Sequence, residues 1–312
     1  ALNIKEGDEV IVPAFTFPAT VSVGVHCGAT PVFADVNDYD FTMDQKSFEK
    51  AITKRTKAVI PVHYAGNRAS IVSDIPVIED SAHFIPRNGD NSLSFTRCYS
   101  FYATKNMTTG EGGMITTGDE KVAEWLRKAR LHGLSHDAWK RYEVESKWTY
   151  EVEFPGWKFN TTDIATSMGR MQLRKLDQFE ERRREVVALY NKLLGLNNSG
   201  THLYPILIEE RDKLFECMKE NNVGCSFHFL ALNKEPAFSR YNRGKLPVTE
   251  YIARRVVTLP LDAVITDSEV ERVASLVKSF MATKANLPIG NGKLKVRSRQ
   301  STRGDITTSS FS

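Results

Sequence analysis

The sequence predicts an α/β fold: a mostly parallel sheet flanked by helices, with a smaller α+β unit toward the C-terminus. Three observations lead there. Short β-branched runs alternate with helical stretches through the first half, the pattern of βαβ units. From residue 161 the apolar spacing changes to one long helical period. The chain has 312 residues, 41% hydrophobic and 26% charged, which suits a folded protein of up to two domains and excludes a disordered or collagen-like chain.

Taken in order, strands are expected at 9–12, 31–35, 58–63, 76–80, 98–102 and 114–117, with the clearest early helices at 16–25 and 43–52. Val122, Trp125, Leu126 and Ala129 then recur at helical spacing and predict a helix packed on the sheet. After 161, Ile164, Met168, Met171, Leu173, Leu176 and Phe179, then Val186, Val187, Tyr190 and Leu194, predict a long amphipathic helical region. Its charges between Glu180 and Glu185 read as a solvated face. A strand near 203–208, a helix bearing Leu214, Phe215 and Met218, and a strand around 225–229 follow. Thr266 and Glu269 form a capping box before Val270, Val273, Leu276, Val277 and Phe280, so the fold should end on that helix. The expected units are residues 1–179, 180–283, and a disordered basic tail at 284–312.

Several function classes fall away. No apolar run approaches the roughly 20 residues of a membrane span, and charges occupy the start where a signal peptide would be apolar. The expected location is cytoplasmic. Cys27, Cys98, Cys217 and Cys225 form no CxxC pair, so neither a zinc site nor a disulfide framework is suggested and buried free thiols are expected. The net charge of +4 arises in the tail, where Lys284, Lys293, Lys295, Arg297, Arg299 and Arg303 face Asp305 alone. No aromatic is interleaved with these bases to stack on nucleotides, so nucleic acid is not an expected partner.

Three segments stand out. An apolar strand ends in Asp80 and is followed by His83; a second, with Ser100 at its end, leads to Lys105; and Thr109-Gly110-Glu111-Gly112-Gly113 is a flexible turn before another strand. Ligands of open α/β sheets gather at the carboxyl ends of strands, so the three could share one site. Each also has a plainer reading: Asp80 as a turn cap, Lys105 as a surface lysine, the glycines as a hairpin. The glycines match neither GxxxxGK[ST] nor GxGxxG, which rejects a Walker loop and a dinucleotide fingerprint.

The order of these segments, with Ser100-Phe101-Tyr102-Ala103-Thr104-Lys105-Asn106 ahead of Gly110-Glu111-Gly112-Gly113-Met114, resembles the DegT/StrS-type sugar aminotransferases, pyridoxal-phosphate enzymes of fold type I. The resemblance begins at Gly7-Asp8-Glu9-Val10-Ile11-Val12-Pro13 and Phe15-Thr16-Phe17-Pro18-Ala19-Thr20. It continues through Pro61-Val62-His63-Tyr64-Ala65-Gly66, Arg130-Leu131-His132-Gly133 with Asp137-Ala138-Trp139, and Lys158-Phe159-Asn160-Thr161-Thr162-Asp163, to Phe227-His228-Phe229 and Leu259-Pro260-Leu261. It spans about residues 6 to 281.

The resemblance implies that Lys105 forms the Schiff base with pyridoxal 5'-phosphate and shuttles the proton, and that Asp80 pairs with the pyridinium nitrogen. It further implies that Phe17 stacks on the ring, His83 bonds the phenolic oxygen, Ser100 binds the phosphate, and Asn160 reaches the phosphate from the partner subunit of a homodimer. The implied reaction moves an amino group from a donor, glutamate, to a keto group of a nucleotide-linked sugar. His132, Trp139 and His228 match regions that meet the sugar nucleotide; a packing role for His228 and for Trp139, Trp148 and Trp157 stays open.

The sequence also departs from the family. The opening segment with its glycine-threonine turn and first large helix is expected to be missing, 67–75 leaves room for barely two helical turns, and the connection from 194 to 202 is curtailed. The shortenings predict uncovered apolar sheet surface. They leave two readings: a fragment of an active enzyme, or a non-catalytic relative acting as a dimeric binding or scaffold protein.

Overall fold

The computed structural model describes residues 1–86, 96–135 and 150–285. Its first layer is built from β1 (Glu9–Pro13), α1 (Pro18–His26), β2 (Thr30–Ala34), α2 (Gln45–Ala51) and β3 (Thr56–Val59). The order β2-β1-β3 is parallel throughout. β1 is buried along its whole length, which explains its unbroken apolar run, since a central parallel strand is covered on both faces. Proline at the start of α1 supplies a preset φ. Asp44 caps α2 by accepting from Ser47 N at 2.8 Å.

β4 (Ile78–Asp80), β5 (Thr96–Ser100) and β6 (Gly113–Thr117) form a second run, with β4 and β5 parallel and β6 antiparallel. Parallel bridges Val59↔Val77 and Val62↔Asp80 join it to β3, so the strand order reads β2-β1-β3-β4-β5-β6. The expected strand 58–63 pairs as a ladder only to Val59; beyond it single bonds continue, with Asp80 N donating to Pro61 O and His63 N donating to Asp80 O. α3 (Glu120–Ala129) follows, capped by Asp119.

α4 (Asp163–Leu194) is one continuous helix of 32 residues, ended by Gly195 at φ 68°, a left-handed position suited to glycine. Its second half packs with β7 (Tyr204–Leu207), α5 (Arg211–Glu220), β8 (Val256–Leu259) and α7 (Asp267–Ala285). Val186, Tyr190, Tyr204, Leu214, Met218, Val257 and Val270 are buried in that second core. The capping box forms as expected: Glu269 N donates to Thr266 Oγ1 and Thr266 N donates to Glu269 Oε2. Before β8 the chain returns to the first layer, where Leu232 and Phe238 pack on Val10, Val12 and Phe33. α6 (Pro247–Ala253) is anchored there by Asp35, which accepts from Val248 N and Thr249 N.

Four expectations change. The strand expected at 225–229 is a single bridge, Ser226↔Thr258, because the chain then turns away and Tyr64 Oη donates to His228 O at 2.6 Å. The charges of 180–185 are not all solvated: Glu180 and Arg183 are buried, since they lie on the helical stripe that continues through Val187 and Tyr190. None of the four thiols is fully buried; Cys27, just past the end of α1, is exposed and the others are half-buried. The short 67–77 connection forms no helix, yet Ile71, Ile75 and Val77 pack against Ile11, Val32 and Phe48, so that face of the sheet is covered. Uncovered apolar surface appears instead on β6, at Met114 and Ile115. Residues 286–312, with nearly all of the expected tail, lie outside the described part.

Candidate active site

The carboxyl ends of β1, β4 and β5 point the same way because these strands are parallel or joined through parallel bridges. Phe17 and Thr20 follow β1, Asp80 ends β4, Ser100 ends β5, and Lys105 lies on the turn beyond it. A cleft of about 2490 Å³ opens there, lined by Phe17, Asp80, His83, Ser100, Lys105 and His228 among others. Six of the nine residues singled out in the sequence therefore meet in one place.

Asp80 is held twice. Thr20 Oγ1 donates to Oδ2 at 2.7 Å and Ala82 N donates to Oδ1 at 3.1 Å. The turn-cap reading is thus correct but incomplete, because the same carboxylate reaches across to the first turns of α1. It has no ion pair among the described residues. Burial lowers the pKa of Lys105, and the Asp80 carboxylate partly offsets this. A lysine poised this way can lose and regain a proton near neutral pH more readily than a surface lysine.

His83 is buried, and its Nδ1 has no hydrogen-bond partner among the described residues. Its ring is stacked on Phe229 and lies 4.2 Å from the His202 ring between centroids. Burial, then the nearby Lys105, His228 and His63, hold its pKa well below the usual 6.5. His202 is lowered in the same way by burial, His83 and Lys105. Phe17 remains exposed and touches Phe229, the ring centroids being 6.1 Å apart. Ser100 Oγ accepts weakly from Tyr102 N at 3.4 Å. His228 Nδ1 lies 3.0 Å from Thr258 Oγ1, so its ring is a half-buried, hydrogen-bonded part of the cleft wall, and the structural role left open for it stands.

Two others, Asn160 and His132, do not join the cleft wall. Among the described residues Asn160 bonds its neighbour, Nδ2 donating to Thr161 O at 3.4 Å. His132 is exposed on a turn at φ 59°. Trp139 and Trp148 lie outside the described residues. Trp157 is exposed, edge-on to Trp125. Sequence reasoning assigned no role to Thr20, Asn106, Glu180 or His202, all of which bond or pack into this region. No group of three or more metal-ligating side chains occurs among the described residues, and no described helix is long and apolar enough to cross a membrane.

The two buried imidazoles make a stability prediction for the cofactor-free protein. Their folded pKa values lie below the unfolded value, so the unfolded chain takes up protons that the folded one refuses as pH falls below 6.5. Stability is full above that pH and falls below it, by about 1.4 kcal/mol per pH unit for each histidine. Denaturant unfolding at pH 7, 6 and 5 should show this acid limb, and His83→Gln should flatten it. An unchanged slope in that variant would contradict the assignment.

The profile of the DegT/DnrJ/EryC1/StrS aminotransferase family matches residues 1–278. The uncharacterized protein MJ1066 of Methanocaldococcus jannaschii is 40% identical, the match covering 90% of this chain and 82% of that protein. Spore coat polysaccharide biosynthesis protein SpsC of Bacillus subtilis is 35% identical, over 90% of this chain and 81% of its own. The putative sugar aminotransferase Spr1654 of Streptococcus pneumoniae, solved in its PMP form, superposes with a TM-score of 0.81 at 28% identity, covering 90% of this chain and 84% of the other. By sequence and by fold, the chain belongs to the DegT/DnrJ/EryC1/StrS aminotransferase family.

Proposed function

We propose that the protein is a pyridoxal-phosphate-dependent aminotransferase that moves an amino group from glutamate to a keto group of a nucleotide-linked sugar. The observation that carries this reading is the shared cleft of Lys105 and Asp80. The residues present fit the cofactor: among the described residues Asp80 is a carboxylate without an ion pair, suited to a pyridinium, and His83 Nδ1 is a buried polar atom without a partner. When bound, pyridoxal phosphate supplies the electron sink for breaking the bond to the substrate α-hydrogen.

The chain's own residues do the rest. Thr20 and the Ala82 amide fix Asp80 as a hydrogen-bond acceptor in the cleft, where it would hold the ring nitrogen. Lys105 holds and moves the proton at Nζ, which burial makes easier to release. His83 would hold the phenolic edge, Phe17 would cover a ring face, and Ser100 would offer its hydroxyl to the phosphate. His228 lies where it can meet the sugar substrate.

The test is direct: load the purified chain with pyridoxal phosphate, reduce with borohydride, and map the adduct by mass spectrometry. A label on Lys105, with transamination between glutamate and a nucleoside-diphosphate keto sugar, is expected. No label, with folding and self-association retained, would instead favour the non-catalytic reading.

The assembly proposed is a homodimer. Phe159, at 72% exposed, and Ile164, at 81%, flank the start of α4, and Met168 and Met171 continue the exposed apolar surface. Such a patch on a water-facing helix marks an interaction site. Asn160 adjoins Phe159 in this patch, and the proposed dimer places it against a partner's phosphate. Light scattering should give twice the 35.2 kDa chain mass, and Ile164→Glu should shift it toward one. A monomer in the parent protein would refute this arrangement.

A further inference from the structure

Glu180 lies midway along α4 and is buried, although it belongs to a run of charged residues. Both of its oxygens are acceptors. Asn106 Nδ2 donates to Oε1, and Thr201 Oγ1 donates to Oε2 at 2.6 Å. Asn106 directly follows Lys105 in the chain, so this helix is bonded to the segment that carries the proposed catalytic amine.

The pattern of donors fixes what lies beyond. An asparagine amide has one donating end and one accepting end. Glu180 can only accept here, so it takes the donating end and turns Asn106 Oδ1 toward His202, 2.6 Å from Nδ1. Two acceptors cannot share such a contact, so Nδ1 carries the hydrogen. His202 is neutral near pH 7 because burial and nearby cations disfavour its charge, which leaves the lone pair on Nε2. Nε2 makes no hydrogen bond among the described residues, and His202 is part of the cleft wall beside His83.

We infer that Glu180 is a positioning residue: through Asn106 it holds His202 as the Nδ1–H tautomer and keeps a proton-accepting nitrogen, rather than an N–H, beside His83 and Lys105. An acceptor there is compatible with an amine that cycles through its ammonium form, whereas a donor is repelled by it. This consequence for turnover rests on the aminotransferase reading; the tautomer itself does not.

Histidine-15N-labelled full-length protein, with and without pyridoxal phosphate, tests both parts. Long-range 1H–15N spectra distinguish a protonated from an unprotonated ring nitrogen, and loss of one signal set in His202→Gln assigns the residue. The parent protein should show Nδ1–H and a bare Nε2 for His202. Glu180→Ala, which frees Asn106 to rotate, should give mixed tautomers and a kcat about 10- to 100-fold lower with KM within about twofold. Glu180→Gln keeps an acceptor for Asn106 and should restore the tautomer and most of kcat. An Nε2–H signal for His202 in the parent protein overturns the inference. An unchanged tautomer in folded Glu180→Ala overturns it too, and a shifted tautomer with unchanged kcat overturns the link to turnover. Failure to trap cofactor on Lys105 would instead remove the aminotransferase reading and leave the tautomer assignment standing.

Discussion

Lys105→Ala is expected to abolish transamination, with a loss of at least about 10⁴-fold, because one side chain would serve both as covalent anchor and as proton carrier. Borohydride should then leave no cofactor on the protein. The fold should survive. Burial disfavours the ammonium of Lys105 in the folded state, so removing it relieves a desolvation cost and the melting temperature should hold or rise near pH 7. The sign can be checked by pH. A lowered folded pKa means that the cost is full below that pKa and fades as pH rises toward the unfolded value of 10.5. Any stability gain of the alanine variant over the parent should shrink accordingly in alkaline buffer. Substantial activity in the alanine variant would place the chemistry elsewhere.

Asp80→Asn should lower kcat by about 100- to 1000-fold, the scale of losing one preorganised charge in a closed site. The substitution is nearly isosteric, but its chemistry at this position is not neutral. Asp80 accepts at both oxygens, from Thr20 Oγ1 and from Ala82 N. An asparagine can satisfy only one of these with its oxygen. Thr20 can reverse its hydroxyl and accept, whereas a backbone N–H cannot, so the amide nitrogen should settle toward Thr20 and toward the cleft. A second effect separates charge from packing. The carboxylate supports the Lys105 ammonium, so Asp80→Asn should lower the Lys105 pKa further. The rate of Lys105 acetylation against pH, followed by mass spectrometry, reads that shift in the cofactor-free protein. A pKa that stays or rises would separate Asp80 from Lys105.

Much of the site was legible because it is local in sequence. Asp80, Ser100 and Lys105 fall at or just beyond the ends of apolar strands, and parallel pairing brings such ends to one edge whatever the loops between them do. Phe17 follows β1 by the same logic. The capping box at Thr266 is likewise contained within four residues. The strand at 225–229 was misread because its apolar, aromatic residues serve a turn into the cleft, and periodicity does not separate those uses.

Glu180 shows where a sequence signal existed and was outweighed. Leu176, Glu180, Arg183, Val187 and Tyr190 recur at intervals of three or four and are all buried, so helical spacing already placed the two charges on the inward stripe. Charge type argued for solvent. What makes their burial tolerable is the set of partners from distant segments: Asn106 and Thr201 for Glu180, and the carbonyls of Thr201 and Leu261 for Arg183. A buried charge is stable only when such partners are in place.

The sequence alone therefore determined the family resemblance, the strand-end placement of the acid and the lysine, and the helix boundaries written in caps and glycines, because each depends on neighbours in the chain. Only the tertiary structure decided that Thr20 would steady Asp80, that His202 would pack beside His83, and that a glutamate in a charged run would reach the site through Asn106. Those contacts join residues 60, 119 and 74 positions apart. They form because folding removes water from both partners at once, which no pattern along the chain records.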